Sequence, residues 1–111
     1  MHALIKTLCS AACAGTLLLA GAAHAAYPDK PIKLIVPYAP GGITDNLARA
    51  LADGVSRELK QPIVVDNKAG ASAMIGTGMV ANAPADGYTL LMASNGNMTV
   101  TPLVMKNLSY D

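Results

Sequence analysis

The chain has 111 residues and a formal net charge of +1, and 52% of it is hydrophobic although Phe and Trp are absent. That near-neutral balance leaves no basic footprint for nucleic acid or an anionic membrane surface, and four Tyr supply no platform for stacking bases. A chain of this length can bury only a modest core.

The first residues carry an address rather than a fold. Met1 to Lys6 bear one positive charge, Thr7 to Ala22 are small and apolar, and Ala23-His24-Ala25 has the small-x-small form that a signal peptidase cuts. Residues 1–25 are therefore expected to be a cleaved secretory leader; the apolar run is short and rich in Ala for a spanning anchor. Cys9, Cys13, His2 and His24 all fall inside it. The rest of the chain then has neither thiol nor imidazole, so disulfides, zinc sites and Ser-His or Cys-His nucleophile pairs have no material. Neither cysteine stands at the cut, where a lipoprotein needs one, and the product is expected to be free in an exported compartment. From Asp29 onward, seven basic and seven acidic residues balance.

Tyr27-Pro28-Asp29-Lys30-Pro31 is an extended, proline-bounded lead into Ile32-Lys33-Leu34-Ile35-Val36. This nearly continuous apolar run predicts a strand buried on both faces in a parallel sheet. Pro37-Tyr38-Ala39-Pro40-Gly41-Gly42-Ile43-Thr44-Asp45 follows. Prolines and glycines there set an abrupt turn, and Thr44 and Asp45 bring side-chain oxygens to the mouth of a helix. Unpaired amides at such a mouth suit an anion, and a carboxylate above all.

Leu47, Leu51, Val55 and Leu59, with Ala48 and Ala52 beside them, predict a helix from Thr44 to Lys60. Arg49, Asp53, Arg57 and Lys60 read as its solvated face. Gln61-Pro62 ends it, and Ile63 to Asp66 predicts a second strand with a polar exit at Asn67-Lys68. Met74, Ile75, Met79 and Val80 keep a helical face despite Gly70, Gly76 and Gly78, which predicts a helix over Ser72 to Asn82. Ala85-Asp86-Gly87 is a turn, Tyr88 to Ala93 a third strand, and Ser94-Asn95-Gly96-Asn97 a polar turn. Thr99 to Lys106 reads as a short helix, and residues 108–111 have no clear type. The sum is an α/β chain, a βαβαβ parallel open sheet. Ligands in such sheets bind outside the carboxyl ends of the strands, so the turns Tyr38–Asp45, Asn67–Ser72 and Ser94–Asn97 are expected along one edge.

Other motifs fail. Gly70, Gly76 and Gly78 do not make G-x-G-x-x-G, and no Gly-Lys-Ser/Thr exists for a phosphate loop. Met74, Met79 and Met92 read as core filler, and Lys30, Lys33 and Lys68 as solvent-facing. Without His, Cys or a close acid pair the chain is expected not to be an enzyme.

The segment Tyr27 to Asp45, then Gln61-Pro-Ile-Val-Val-Asp-Asn-Lys-Ala-Gly-Ala71, Ile75-Gly76 and Asp86-Gly-Tyr-Thr-Leu-Leu91, resembles the start of a tripartite tricarboxylate transporter substrate-binding protein, the TctC-like or Bug family. The resemblance runs from Tyr27 to Asp111. It implies a type II periplasmic binding-protein clamshell that closes on a small organic carboxylate and delivers it to membrane permease subunits, with no cofactor and no metal. Residues 26–111 would be the N-terminal portion of its first domain, the second domain and return segment being absent. The loops after the three strands would grip the carboxylate through Tyr38, Gly41, Gly42, Thr44 and Asp45, then Asn67, Gly70, Ala71 and Ser72, then Ser94 and Asn95. Two departures stand out: Ala39 replaces a usual proline, and Gly70-Ala71-Ser72-Ala73 stands where the family commonly has Gly-Ala-Gly-Gly.

Asp45 has two further readings. It complements the helix dipole, or it meets the ligand, pairing with an ammonium group and repelling a plain di- or tricarboxylate. The rival reading of the whole is a truncated fragment without autonomous function, its apolar helix faces left uncovered.

Overall fold

The computed structural model describes residues 26–110. The expected leader, residues 1–25, lies outside them. The continuous apolar run forms β1, Ile32–Val36, and its burial matches its expected place between two layers. The helix α1 spans Ile43–Leu59, β2 spans Ile63–Asn67, α2 spans Met74–Ala81 and β3 spans Thr89–Leu91. A π-helical turn, Gly96–Val100, runs into the short α3, Thr101–Val104.

All three strands are parallel, in the order β2-β1-β3. Ile32 stands opposite Ile63 and Val36 opposite Asn67, while Lys33 stands opposite Thr89. The chain steps from β1 to β2 on one side and then crosses back to β3 on the other. Right-handed crossovers in opposite directions put α1 and α2 on opposite faces.

The two layers use alternate residues of β1. Leu34 and Val36 pack with Ala48 of α1, and Tyr38, Ile63, Val65 and Met92 close around them. On the other face Pro37 lies directly against Gly76 of α2. Ile35 is fully buried between its neighbours in the sheet.

In α1 the row that meets the sheet is Asp45, Ala48 and Ala52. The leucines of the expected stripe stand one residue earlier, about 100° around the helix, and Leu47 and Leu51 are half-exposed. Small side chains let the helix settle close to the strands, and the larger ones are left beside the contact with Ile43, which is 88% exposed. At the far end, Lys60 takes a left-handed conformation that stops the helix. Ser56 Oγ then accepts the Ile63 amide at 3.0 Å, fixing the start of β2.

The amino ends of β1 and β3 are stapled by aromatic side chains. Tyr27 donates to the Gly87 carbonyl at 2.7 Å and meets the Tyr88 ring edge-on at 5.0 Å between centroids. The Asp29 amide donates to the Tyr88 hydroxyl, and Lys30 lies over the Tyr88 ring.

A methyl group at Gly76 would sit 2.9 Å from the Lys68 carbonyl oxygen and 2.9 Å from Pro37 Cβ. Neither neighbour can yield without moving β1 or the turn after β2. Gly76→Ala is expected to lower stability by about 1–3 kcal/mol, read as a fall in the urea midpoint at constant m-value.

Candidate functional site

Strand order 2-1-3 creates a reversal at β1, where the connections leave in opposite directions. In open parallel sheets ligands bind outside the carboxyl ends of the strands at such a reversal. The first turn reaches it because Gly41 has φ +86°, a left-handed conformation that favours glycine. Gly42 is the extended N-cap of α1, and no side chain caps that end. The first intrahelical bond runs from the Asn46 amide to the Gly42 carbonyl. The amides of Ile43, Thr44 and Asp45 therefore precede the ladder. Thr44 stands beside them, half-buried.

Asp45 is buried. Its Oδ2 accepts the Gly41 amide at 2.8 Å and Arg49 Nε at 3.0 Å, and its Oδ1 accepts Asn67 Nδ2 at 2.9 Å. Asn67 Nδ2 also donates to the Tyr38 carbonyl, and Arg49 Nη2 donates to Asn67 Oδ1. The first and second turns are thereby tied together. The Arg49 hydrogen bond, then those of Gly41 and Asn67, hold the Asp45 carboxyl down to about 2, against the opposing effect of burial.

The third turn joins from the other side. Tyr38 and Ser94 hydroxyls are 2.6 Å apart. Ser94 Oγ donates to Asn97 Oδ1, which also accepts the Ser94 amide at 2.7 Å. Asn97 is fully buried and donates to Thr77 Oγ1 of α2. A directed chain results: Ser94 gives its proton to Asn97, so Tyr38 gives its own to Ser94. Thr101 Oγ1 closes the circle by donating to the Ser72 and Gly96 carbonyls. Among the described residues no buried side-chain nitrogen or oxygen lacks a partner.

The second turn is strained. Gly70 has φ +131°, and Ala71, Ser72 and Ala73 follow with φ of +46°, +54° and +69°. Three successive side chains in the left-handed region cost about 1–2 kcal/mol each. This run, rather than a regular helix, occupies the start expected for α2, which begins only at Met74.

Of the eleven expected residues, hydrogen bonds bring Tyr38, Gly41, Asp45, Asn67 and Ser94 together across the turns. Gly42, Ala71, Ser72 and Asn95 are exposed. Sequence reasoning leaves Arg49 on the solvated face of α1 and Asn97 as one residue of a polar turn, and misses the part each plays here. Arg49 carries a signal, its i, i+4 spacing from Asp45. Asn97 carries none, because its role comes from a π-helical turn with no local pattern.

Residues 47–111 match the family described as the tripartite tricarboxylate transporter family receptor. A UPF0065 protein of Bordetella pertussis is 46% identical over 95 residues, which are 85% of this chain and 29% of that protein. A solved periplasmic transporter is similar at TM-score 0.76 and 50% identity, over 78% of this chain and 29% of its own. The R. palustris protein Rpa4515 with adipate is similar at TM-score 0.74 and 39% identity, over 77% of this chain and 28% of its own. The chain spans under a third of the length of these relatives.

Two outcomes follow from the geometry. Ser72 is exposed and its backbone alone is strained, so Ser72→Gly should raise stability by about 1 kcal/mol in urea unfolding. Because the folded Asp45 value of about 2 lies below the ordinary one of about 3.9, its contribution is complete above about pH 4 and is lost as pH falls toward 2. Unfolding midpoints of Asp45→Asn should accordingly change less between about pH 5 and 2 than those of the wild type.

Proposed function

The chain belongs to the tripartite tricarboxylate transporter receptor family, and from that premise we propose that it binds a small organic carboxylate and hands it to the membrane permease subunits of such a transporter. The carrying observation is the uncapped mouth of α1 at the reversal between β1 and β3, held open on a rim of three interbonded turns. Amides at a helix start and in a glycine-bearing turn present donors to a carboxylate, which is an acceptor only. Tyr38, Gly41, Gly42, Thr44, Ala71, Ser72 and Asn95 border that space, with Asp45, Asn67, Gly70 and Ser94 behind or between them. The adipate held by Rpa4515 supports a linear dicarboxylate as the first compound to try.

Family and structural neighbours are receptors and periplasmic proteins rather than enzymes, which supports recognition without chemistry. The location that fits is the periplasm, reached by cleavage after Ala25. In this reading residues 26–111 form the N-terminal portion of the first domain of a clamshell, whose closure adds the remaining contacts.

One observation favours a second reading, a fragment without function by itself. Ile43, Leu47 and Leu51 form an exposed apolar row along α1, which larger relatives have chain enough to cover.

Thermal unfolding with and without adipate, succinate, citrate and the uncharged diamide of adipate separates the two. Ligand at about a hundred times its Kd stabilises by about 2.7 kcal/mol, a shift of several degrees in Tm for a chain of this size. The carboxylates are expected to raise Tm and the diamide to leave it unchanged. A broad, non-cooperative transition insensitive to every carboxylate overturns the binding reading in favour of the fragment.

A further inference from the structure

From the hydrogen bonds around Asp45 we infer that Asp45, Arg49 and Asn67 form a charge-neutral positioning clamp behind the carboxylate site, so that Asp45 is not itself a ligand contact. The inference rests on the carboxylate-binding reading and specifies how that site is built. A carboxylate ligand needs donors, and the count of donors decides what each residue can offer. Both Asn67 Nδ2 hydrogens are spent, one on the Tyr38 carbonyl at 3.1 Å and one on Asp45 Oδ1 at 2.9 Å. Asn67 Oδ1 is taken by Arg49 Nη2 at 3.0 Å. Asp45 has no hydrogen to give, and its two oxygens already accept three bonds. Neither side chain has a donor left for a bound carboxylate.

What the clamp does have is reach. It grips the Gly41 amide and the Tyr38 carbonyl, the two ends of the turn that leads into the helix mouth, and fastens both to the last residue of β2. Capture of its amide by Asp45 helps hold the left-handed Gly41 in its direction. Loss of that bond would let the turn swing over the amides of Ile43 and Thr44.

Charge follows the same logic. The Asp45 carboxylate is 2% exposed and lies 3.0 Å from the Arg49 guanidinium, whose side chain remains 51% exposed. Seen from the helix mouth, the pair sums to zero. Asp45 therefore neither repels a second carboxylate on the ligand nor attracts an ammonium group, and selection between succinate and aspartate comes from other parts of the site.

The test uses the full chain in wild-type, Asp45→Asn and Arg49→Gln forms. Calorimetric titration with succinate and with aspartate is combined with the exchange rate of the Gly41 amide measured by NMR. Hydrogen bonds to charged groups of this kind correspond to roughly tenfold or more in an equilibrium constant. Asp45→Asn is expected to weaken both ligands by the same factor of roughly ten, to leave their affinity ratio unchanged, and to speed Gly41 exchange by roughly tenfold. Arg49→Gln, at a half-exposed position that keeps Asp45 on Gly41, is expected to weaken both ligands equally but less. An affinity loss confined to aspartate, or a Gly41 amide whose exchange is indifferent to Asp45→Asn, overturns the clamp. Should the wild type bind neither compound, the carboxylate reading is decided by the thermal shifts with adipate and citrate, and the clamp is judged on Gly41 exchange alone.

Discussion

A carboxylate cannot leave water without donors to receive it, and the position of the first turn depends on how Asp45 meets that demand. Its donors come from the turn before α1, from the second turn of α1 and from the end of β2. Three segments that are distant along the chain must be in place together for the charge to be held. Burial of Asp45 is thus a statement about geometry more than about net stabilisation, since the cost of desolvating a charge offsets much of what its partners return. The partner network through Ser94, Asn97 and Thr77 does the same on the β3 side with neutral groups. Tyr38 belongs to both networks, by its carbonyl on one side and its hydroxyl on the other.

Much of the framework was legible because it follows from short-range pattern. A nearly continuous apolar run gave β1, and proline and glycine marked the turn that closes it. Periodicity located α1 within one residue at each end and included Ala48 and Ala52 in its stripe, but centred that stripe on the leucines. Leucine dominates any count of apolar positions, yet Ala48 and Ala52 touch the sheet, because the spacing between helix and strands, and not side-chain size, decides which row fits. The start of α2 was misplaced for a different reason. Nothing in Ala-Ser-Ala announces three left-handed residues, a conformation that only the surrounding contacts can impose.

That strained turn also bears on one of the two motifs in which the sequence departs from its family resemblance. Positions 72 and 73, where glycine is usual, keep the left-handed backbone that glycine adopts at no steric cost. The backbone here runs through the left-handed region with side chains at three successive positions. Ser72 still offers its carbonyl to Thr101, so the turn remains tied to the segment after β3.

The placing of β1 has a consequence for assembly. It is the central strand, yet its two neighbours lie later in the chain, and β3 pairs with it only after α1, β2 and α2 have intervened. During synthesis one edge of the most apolar strand stays open until Thr89 to Leu91 emerge. No hairpin can shield it, because parallel partners need a crossover. Pairings of such long separation are slow to form and leave strand edges available to other chains. The same strand order that sets the reversal at one end of β1 leaves its flank open until β3 arrives.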